Sequence, residues 1–237
     1  IFEATRSIVE PAGALAVAGI QASAAILPAA AHCVAICSGA NMTFERLQFV
    51  AERTLLGSGR EALFSVRLPE TAGALRHFCQ AVVNGFNITE FNYRLSNRQQ
   101  AYICVGIGVA NTQEKQHFID LLKKHNYQYH DLSLDELAKE HIRYMVGGPS
   151  SAARQERLYT IEFPERPGAL NDFLRKLGDN YNISLFHYRG QGGDVGRVCI
   201  GFEALERTAL ETTLTQTGAD FTAIDSIAAE LFLSIKH

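Results

Sequence analysis

The chain has 237 residues, 47% hydrophobic and 20% charged, with 19 glycines and 6 prolines, enough apolar material for a sizeable core and unlike a disordered or fibrous composition. A formal charge of -3 from 22 basic and 25 acidic residues, without a Lys/Arg block, removes the electrostatic basis for nucleic acid or an anionic membrane as a partner. Five cysteines, an odd number without CxxC spacing, indicate neither a disulfide framework nor a zinc site and fit a reducing, cytoplasmic setting.

The chain starts at Ile1 rather than Met and shows no signal-type segment, so further sequence is expected upstream. Residues 1–59 contain fourteen alanines and neither lysine nor aspartate. The stretch from Pro11 to Cys37 is interrupted by Gln21, Ser23, Pro28 and His32, which argues against a membrane span, since a span needs about 20 consecutive apolar residues. Pro11 is expected to open a buried alanine-rich helix, and Cys33 to Cys37 a short strand buried on both faces. So apolar a pair requires a large partner.

From Glu61 onward the chain repeats itself. Residues 61–94 align without a gap onto 156–189, an offset of 95, with 13 of 34 positions identical, among them Glu70/Glu165, Gly73/Gly168, Asn87/Asn182, Phe91/Phe186 and Tyr93/Tyr188. Each copy begins with an alternating strand ended by Pro69 or Pro164, followed by a helix from Gly73 or Gly168. Two further strands form a hairpin: residues 88–95 and 102–109, turning through Ser96 to Gln99, and 183–189 and 195–202, turning around Gly190, Gly192 and Gly193. A second helix (113–124; 206–217) and a last strand (127–132; 219–224) complete the order β-α-β-β-α-β, a ferredoxin-like arrangement. Residues 134–145 read as an added helix, and Gly147 to Ser151 as a linker. The expected fold is therefore α+β, two ferredoxin-like units at 60–150 and 151–237 preceded by a short α/β segment at 1–59.

The motif Pro164-Glu165-Arg166-Pro167-Gly168-Ala169-Leu170 between first strand and first helix resembles the signature of ACT domains, small modules that bind amino acids. Together with Phe91-Asn92-Tyr93-Arg94, Phe186-His187-Tyr188-Arg189, Glu10-Pro11-Ala12-Gly13-Ala14 and Ser38-Gly39-Ala40-Asn41, the whole chain resembles the biosynthetic threonine dehydratase (threonine ammonia-lyase) family. The resemblance implies that residues 1–59 end a fold-type II catalytic domain that uses pyridoxal 5'-phosphate. The Schiff-base lysine and glycine-rich phosphate loop of that domain are expected upstream of Ile1, leaving this chain inactive alone. It also implies cofactor contacts from Ser38, at the pyridine nitrogen, and from Glu10, at the pocket edge. Ala40 replaces the second glycine of the family's Ser-Gly-Gly-Asn motif. Effector-sensing roles are implied for Tyr93, Asn92, Tyr188, His187 and Arg143, with isoleucine as inhibitor, valine as its antagonist, and a homo-oligomer, a tetramer, as the assembly.

The residues alone leave other readings open. Ser38 is also a candidate helix N-cap, with Asn41 and Thr43 as rivals. Glu10 could be an acid at a helix N-terminus, and the two tyrosines could be packing residues between sheets. A stand-alone tandem sensor and a pure assembly module are the competing functions; the lysine-free segment 1–59 ending in Ser-Gly-Ala-Asn favours the enzyme reading. The eight histidines do not cluster at ligand spacing, and Cys33 and Cys37 are given no redox role.

Overall fold

The computed structural model describes residues 1–95, 100–135, 137–138, 142, 147–190 and 194–234. The chain divides into two compact units, Ile1–Leu55 and Leu56–His237.

The first unit contains helices α1 (Phe2–Thr5) and α2 (Pro11–Ala22), and most of α3 (Phe44–Gly57). Pro11 sits in the first turn of α2, where its missing N–H costs nothing. The expected burial of this helix is not found: Gly13 is its buried residue, and Leu15 is 69% exposed. The strand expected at Cys33 to Cys37 is also absent. That segment is irregular, with Val34 87% and Ile36 78% exposed. A strand takes its hydrogen bonds and its covering faces from neighbours, and the described residues of this unit supply no second strand. Thr43 settles the capping question, because its hydroxyl accepts the Arg46 N–H at 3.3 Å and so begins α3.

In the second unit each repeat folds in the expected order. The first comprises β1 (Glu61–Pro69), α4 (Ala74–Phe78), β2 (Asn87–Arg94), β3 (Gln100–Gly108), α5 (Thr112–Lys124) and β4 (Gln128–Asp131). The second comprises β5 (Glu156–Pro164), α6 (Ala169–Leu177), β6 (Asn182–Arg189), β7 (Val195–Glu203), α7 (Arg207–Thr217) and β8 (Asp220–Ala223). Gly73 (φ 82°) and Gly168 (φ 84°) precede α4 and α6 in the left-handed conformation that glycine adopts without a Cβ penalty. The first repeat departs from its copy where α4 runs into a π-helical turn over Cys79–Val83. Asn111 caps α5 by accepting the Glu114 N–H at 3.0 Å, while the Glu114 carboxylate accepts the Ala110 N–H at 2.6 Å.

The eight strands make one antiparallel sheet in the order β4-β1-β3-β2-β6-β7-β5-β8, a palindrome of repeat positions. The two halves join where β2 pairs with β6, and Asn92 lies opposite His187, its own counterpart at the repeat offset of 95. A local two-fold axis therefore passes between these residues. Strand alternation sends Phe91, Tyr93, Phe186 and Tyr188 into a single hydrophobic core built from both repeats. Phe91 and Phe186 meet edge to face at the seam, ring centroids 5.2 Å apart. Arg94 reaches across as well, forming an ion pair with Glu156 and donating to the Gly148 carbonyl at 2.9 Å.

Neither α1 nor the last helix was expected from the sequence; the latter, α8 (Ile227–Ser234), packs its Ala229 with Leu158 and Leu185 in a second small core. Of the helix expected at 134–145, Leu137 and Ala138 are helical and Ala138 is fully buried. Arg143 and the hairpin turn residues 96–99 and 191–193 lie outside the described residues. Among the described residues no helix is long and apolar enough to cross a membrane.

Candidate functional site: two pockets at the repeat seam

Two pockets related by the local two-fold lie where a strand-to-helix loop of one repeat meets the other repeat. The first is a cleft open to solvent, about 470 Å³ with the open space at its mouth included, and is lined by Glu70, Gly73, Leu75, Arg76 and Tyr93 from the first repeat and by Leu174, Leu177, Tyr181 and Ile183 from the second. The second, about 390 Å³, reverses the roles: Glu165, Gly168, Leu170 and Tyr188 come from the second repeat, and Phe86, Asn87 and Ile88 from the first. Neither pocket is complete within one repeat.

Each pocket holds a tyrosine–glutamate pair. The Tyr93 hydroxyl donates toward Glu70, with both carboxylate oxygens in reach at 2.8 and 2.7 Å. The Tyr188 hydroxyl donates to Glu165 Oε1 at 3.0 Å. Burial pushes both phenol pKa values well above the usual range, and the adjacent carboxylates push the same way, so each phenol stays protonated as a donor. Around this polar pair the walls are largely aliphatic and aromatic, a combination that suits a ligand with an apolar body and a charged head.

Asn92 and His187 are adjacent in sequence to the tyrosines, yet they share the opposite face of the sheet, because strand side chains alternate. There Asn92 donates to Glu90 Oε1 at 2.6 Å. A single register row runs Ser65, Cys104, Asn92, His187, Cys199, Thr160 across six strands. Burial holds the His187 pKa below that of an ordinary imidazole, with Arg189 acting in the same direction, and burial raises the Cys199 thiol to about 11. No metal-binding group of three or more such side chains occurs among the described residues.

Two glutamates that sequence reasoning gave no role, Glu70 and Glu165, are thus central to the pockets. Their signal was present as an identity at the repeat offset, 23 positions before each tyrosine. Arg76 and Asp179 were also missed. They bridge the repeats by two hydrogen bonds at 2.9 and 2.5 Å, beside the first pocket.

In the first unit the structure brings together the two segments that carry Glu10 and Ser38. The Glu10 N–H donates to the Gly39 carbonyl at 3.0 Å. A Cβ on Gly13 would overlap the Ser38 carbonyl, and one on Gly39 (φ 86°) would overlap the Glu10 carboxylate, so both glycines permit this approach. Ala40 is not among the residues with positive φ, which explains why a Cβ is accepted where the resemblance has glycine. Ser38 is exposed and Glu10 half-buried.

The model of the C-terminal regulatory domain of threonine dehydratase matches residues 52–142 and again 147–229. The chain is 48% identical over 204 residues to the biosynthetic L-threonine dehydratase of Burkholderia multivorans, covering 86% of this chain and 40% of that protein. With the Escherichia coli enzyme it shares 46% identity over 223 residues, 93% of this chain and 43% of the relative. The mitochondrial threonine dehydratase of Saccharomyces cerevisiae is 42% identical over 224 residues, 89% and 38% of the two chains. The chain spans about two fifths of the length of these relatives. Its palindromic sheet, its paired pockets and these matches lead to one conclusion: the chain belongs to the threonine dehydratase family and carries that family's C-terminal regulatory domain in two tandem copies.

Proposed function

We propose that residues 60–150 and 151–237 sense branched-chain amino acids and control a pyridoxal-phosphate enzyme that converts threonine to 2-oxobutanoate and ammonia. Isoleucine is the inhibiting effector and valine its antagonist. The observation that carries this reading is the pair of pockets at the β2–β6 seam, each with a buried tyrosine bonded to a half-buried glutamate against apolar walls. Occupying a pocket made by both repeats ties ligand binding to the arrangement of one repeat against the other. A regulatory ligand needs that coupling, since it shifts an equilibrium only by binding two arrangements unequally. Tyr93 and Tyr188 are the proposed contacts in the pockets. Asn92 and His187, on the far face at the two-fold axis, and Arg143 are proposed to act on the arrangement of the repeats.

Residues 1–59 are proposed to complete a catalytic domain, and the exposed Leu15, Val34, Ile36 and Phe44 fit a surface that such a domain covers. The exposed Ser38 hydroxyl and the adjoining Glu10 suit one edge of a pyridine ring. When bound, pyridoxal phosphate supplies an electron sink for β-elimination. Ser38 then holds the ring nitrogen through its hydroxyl, and Glu10 borders the pocket. Residues 1–59 contain no lysine, so the amine that anchors the cofactor comes from elsewhere. The assembly proposed is a cytoplasmic homo-oligomer, a tetramer.

Calorimetry of isoleucine, valine and threonine against the chain tests the sensing reading. Isoleucine is expected to bind, and Tyr93→Phe or Tyr188→Phe to weaken binding by about 1–3 kcal/mol where the phenol contact is buried. A folded chain that takes up neither isoleucine nor valine overturns it. No 2-oxobutanoate is expected from this chain with added pyridoxal phosphate; turnover of about 1 to 1000 per second would overturn the division of roles.

A further inference from the structure

Helix α2 carries two glycines, Gly13 and Gly19, in an otherwise alanine-rich sequence, although glycine lowers the stability of a helix relative to alanine. Neither has a positive φ, so neither is required by its backbone conformation. Their surroundings differ. A Cβ on Gly19, which is exposed, would meet nothing within 4 Å. A Cβ on the buried Gly13 would overlap the Ser38 carbonyl oxygen, and its next nearest atoms would be Ser38 C at 3.0 Å and Ser38 N at 3.1 Å. All three are main-chain atoms, which cannot swing aside as the end of a flexible side chain can.

The same turn holds the following peptide. Glu10 lies three residues before Gly13 and so on the same side of the helix start, and its N–H donates to the Gly39 carbonyl at 3.0 Å. The carbonyls of Ser38 and Gly39 therefore both rest on the first turn of α2. Neither flank offers comparable support among the described residues: residues 33–37 are irregular, with Val34 and Ile36 exposed, and α3 takes its cap from Thr43. It is α2, rather than a strand or the next helix, that sets the position of Ser38.

We propose that Gly13 is a positioning residue for Ser38: its bare Cα lets α2 carry the Ser38 main chain at contact distance and so fixes where the hydroxyl stands for the ring nitrogen of the cofactor. This rests on the cofactor reading given above and adds to it a residue that acts only through Ser38. A methyl group at position 13 is cleared by moving the Ser38 main chain on the order of 1 Å. That displacement takes a hydroxyl out of hydrogen-bond range, and misplacement of about 1 Å costs on the order of a hundred-fold where geometry governs the chemistry.

The test uses the full-length enzyme, this chain with its natural upstream sequence. It reads the affinity for pyridoxal phosphate and the pH dependence of the bound cofactor's absorbance, which follows protonation of the ring nitrogen. Gly13→Ala is expected to weaken cofactor binding at least about ten-fold and to shift the absorbance titration in the same direction as Ser38→Ala. Gly19→Ala should leave the titration in place and the affinity within about two-fold of wild type, with the melting temperature unchanged or raised. Because Gly13 acts through Ser38, the double variant Gly13→Ala/Ser38→Ala should bind the cofactor within about two-fold of Ser38→Ala alone. Losses that multiply in the double variant, or a wild-type titration in folded Gly13→Ala, overturn the proposal and leave the cofactor reading standing. If Gly13→Ala does not fold, Pro11→Gly loosens the same turn and should move the titration in the Ser38→Ala direction to a smaller extent; no movement overturns the proposal. Wild-type affinity and absorbance in Ser38→Ala overturn the cofactor reading and the proposal with it.

Discussion

Residues 1–55 and the paired repeats are both rich in apolar side chains, yet these have opposite fates. Val34, Ile36 and Phe44 are 87%, 78% and 90% exposed, whereas Phe64, Phe91 and Phe186 are fully buried. The difference lies in what surrounds them. Each repeat provides strands that bond to one another and helices that cover one face, and the seam then joins two incomplete cores into one. The first unit has helices and an irregular apolar segment with no sheet to receive it. Hydrophobic composition therefore measures a demand for burial, and the repeats meet that demand by pairing.

The contrast is sharpest in stability. Phe186→Ala should cost about 3–5 kcal/mol, the usual range for emptying a core aromatic site. Ile36→Ser should leave the chain within about 0.5 kcal/mol of wild type. Denaturant unfolding of both variants checks this, and comparable losses would break the comparison.

Arg94→Ala addresses the seam. Its partner Glu156 is 12% exposed in the side chain and would be left in a low-dielectric setting, so a loss of about 3 kcal/mol is expected. A thermal melt that splits into two transitions would show further that the repeats have been uncoupled. An unchanged melt would mean that the sheet and the aromatic contact hold the seam alone.

Helix caps give a smaller test of the same contrast. Asn111→Ala removes the acceptor of the Glu114 N–H and should lower the stability of the repeats by about 1 kcal/mol. Thr43→Ala removes the 3.3 Å cap of α3 and should shift that transition by less than about 0.5 kcal/mol. Hydrogen exchange at the two helix starts separates local fraying from global loss.

The least effect is expected from His187. Burial, with Arg189 second, lowers its pKa in the folded chain, so the unfolded chain binds the proton more readily. The stabilising contribution is complete above the unfolded value, about 6.5, and declines as pH falls from there toward the folded value. His187→Gln should flatten the pH dependence of the melting temperature in that window. An unaltered profile would assign the dependence to other groups.

Much of the repeat architecture was legible because it rests on local periodicity. Alternation before Pro69 and Pro164, helical spacing after Gly73 and Gly168, and identity at an offset of 95 all report contacts within one copy. The tyrosines were legible for the same reason, as identical positions in identical strands. Less could be read in residues 1–59, where an apolar run predicts burial without naming what provides it. The result was an expected strand and a buried helix that this unit does not contain.

By itself the sequence determined the order β-α-β-β-α-β twice over, the glycine starts of α4 and α6, and the family to which these motifs point. Tertiary structure alone decided that β2 would pair with β6, that Asn92 would face its own counterpart His187, and that each pocket would draw on both repeats. It also decided that Tyr93 and Tyr188 would enter the core while their neighbours turned to the other face. The physical reason is that local patterns specify which face of an element is apolar. Which two edges meet depends on non-local hydrogen bonds and on burial shared between segments about 95 residues apart, and no short window of sequence contains both partners.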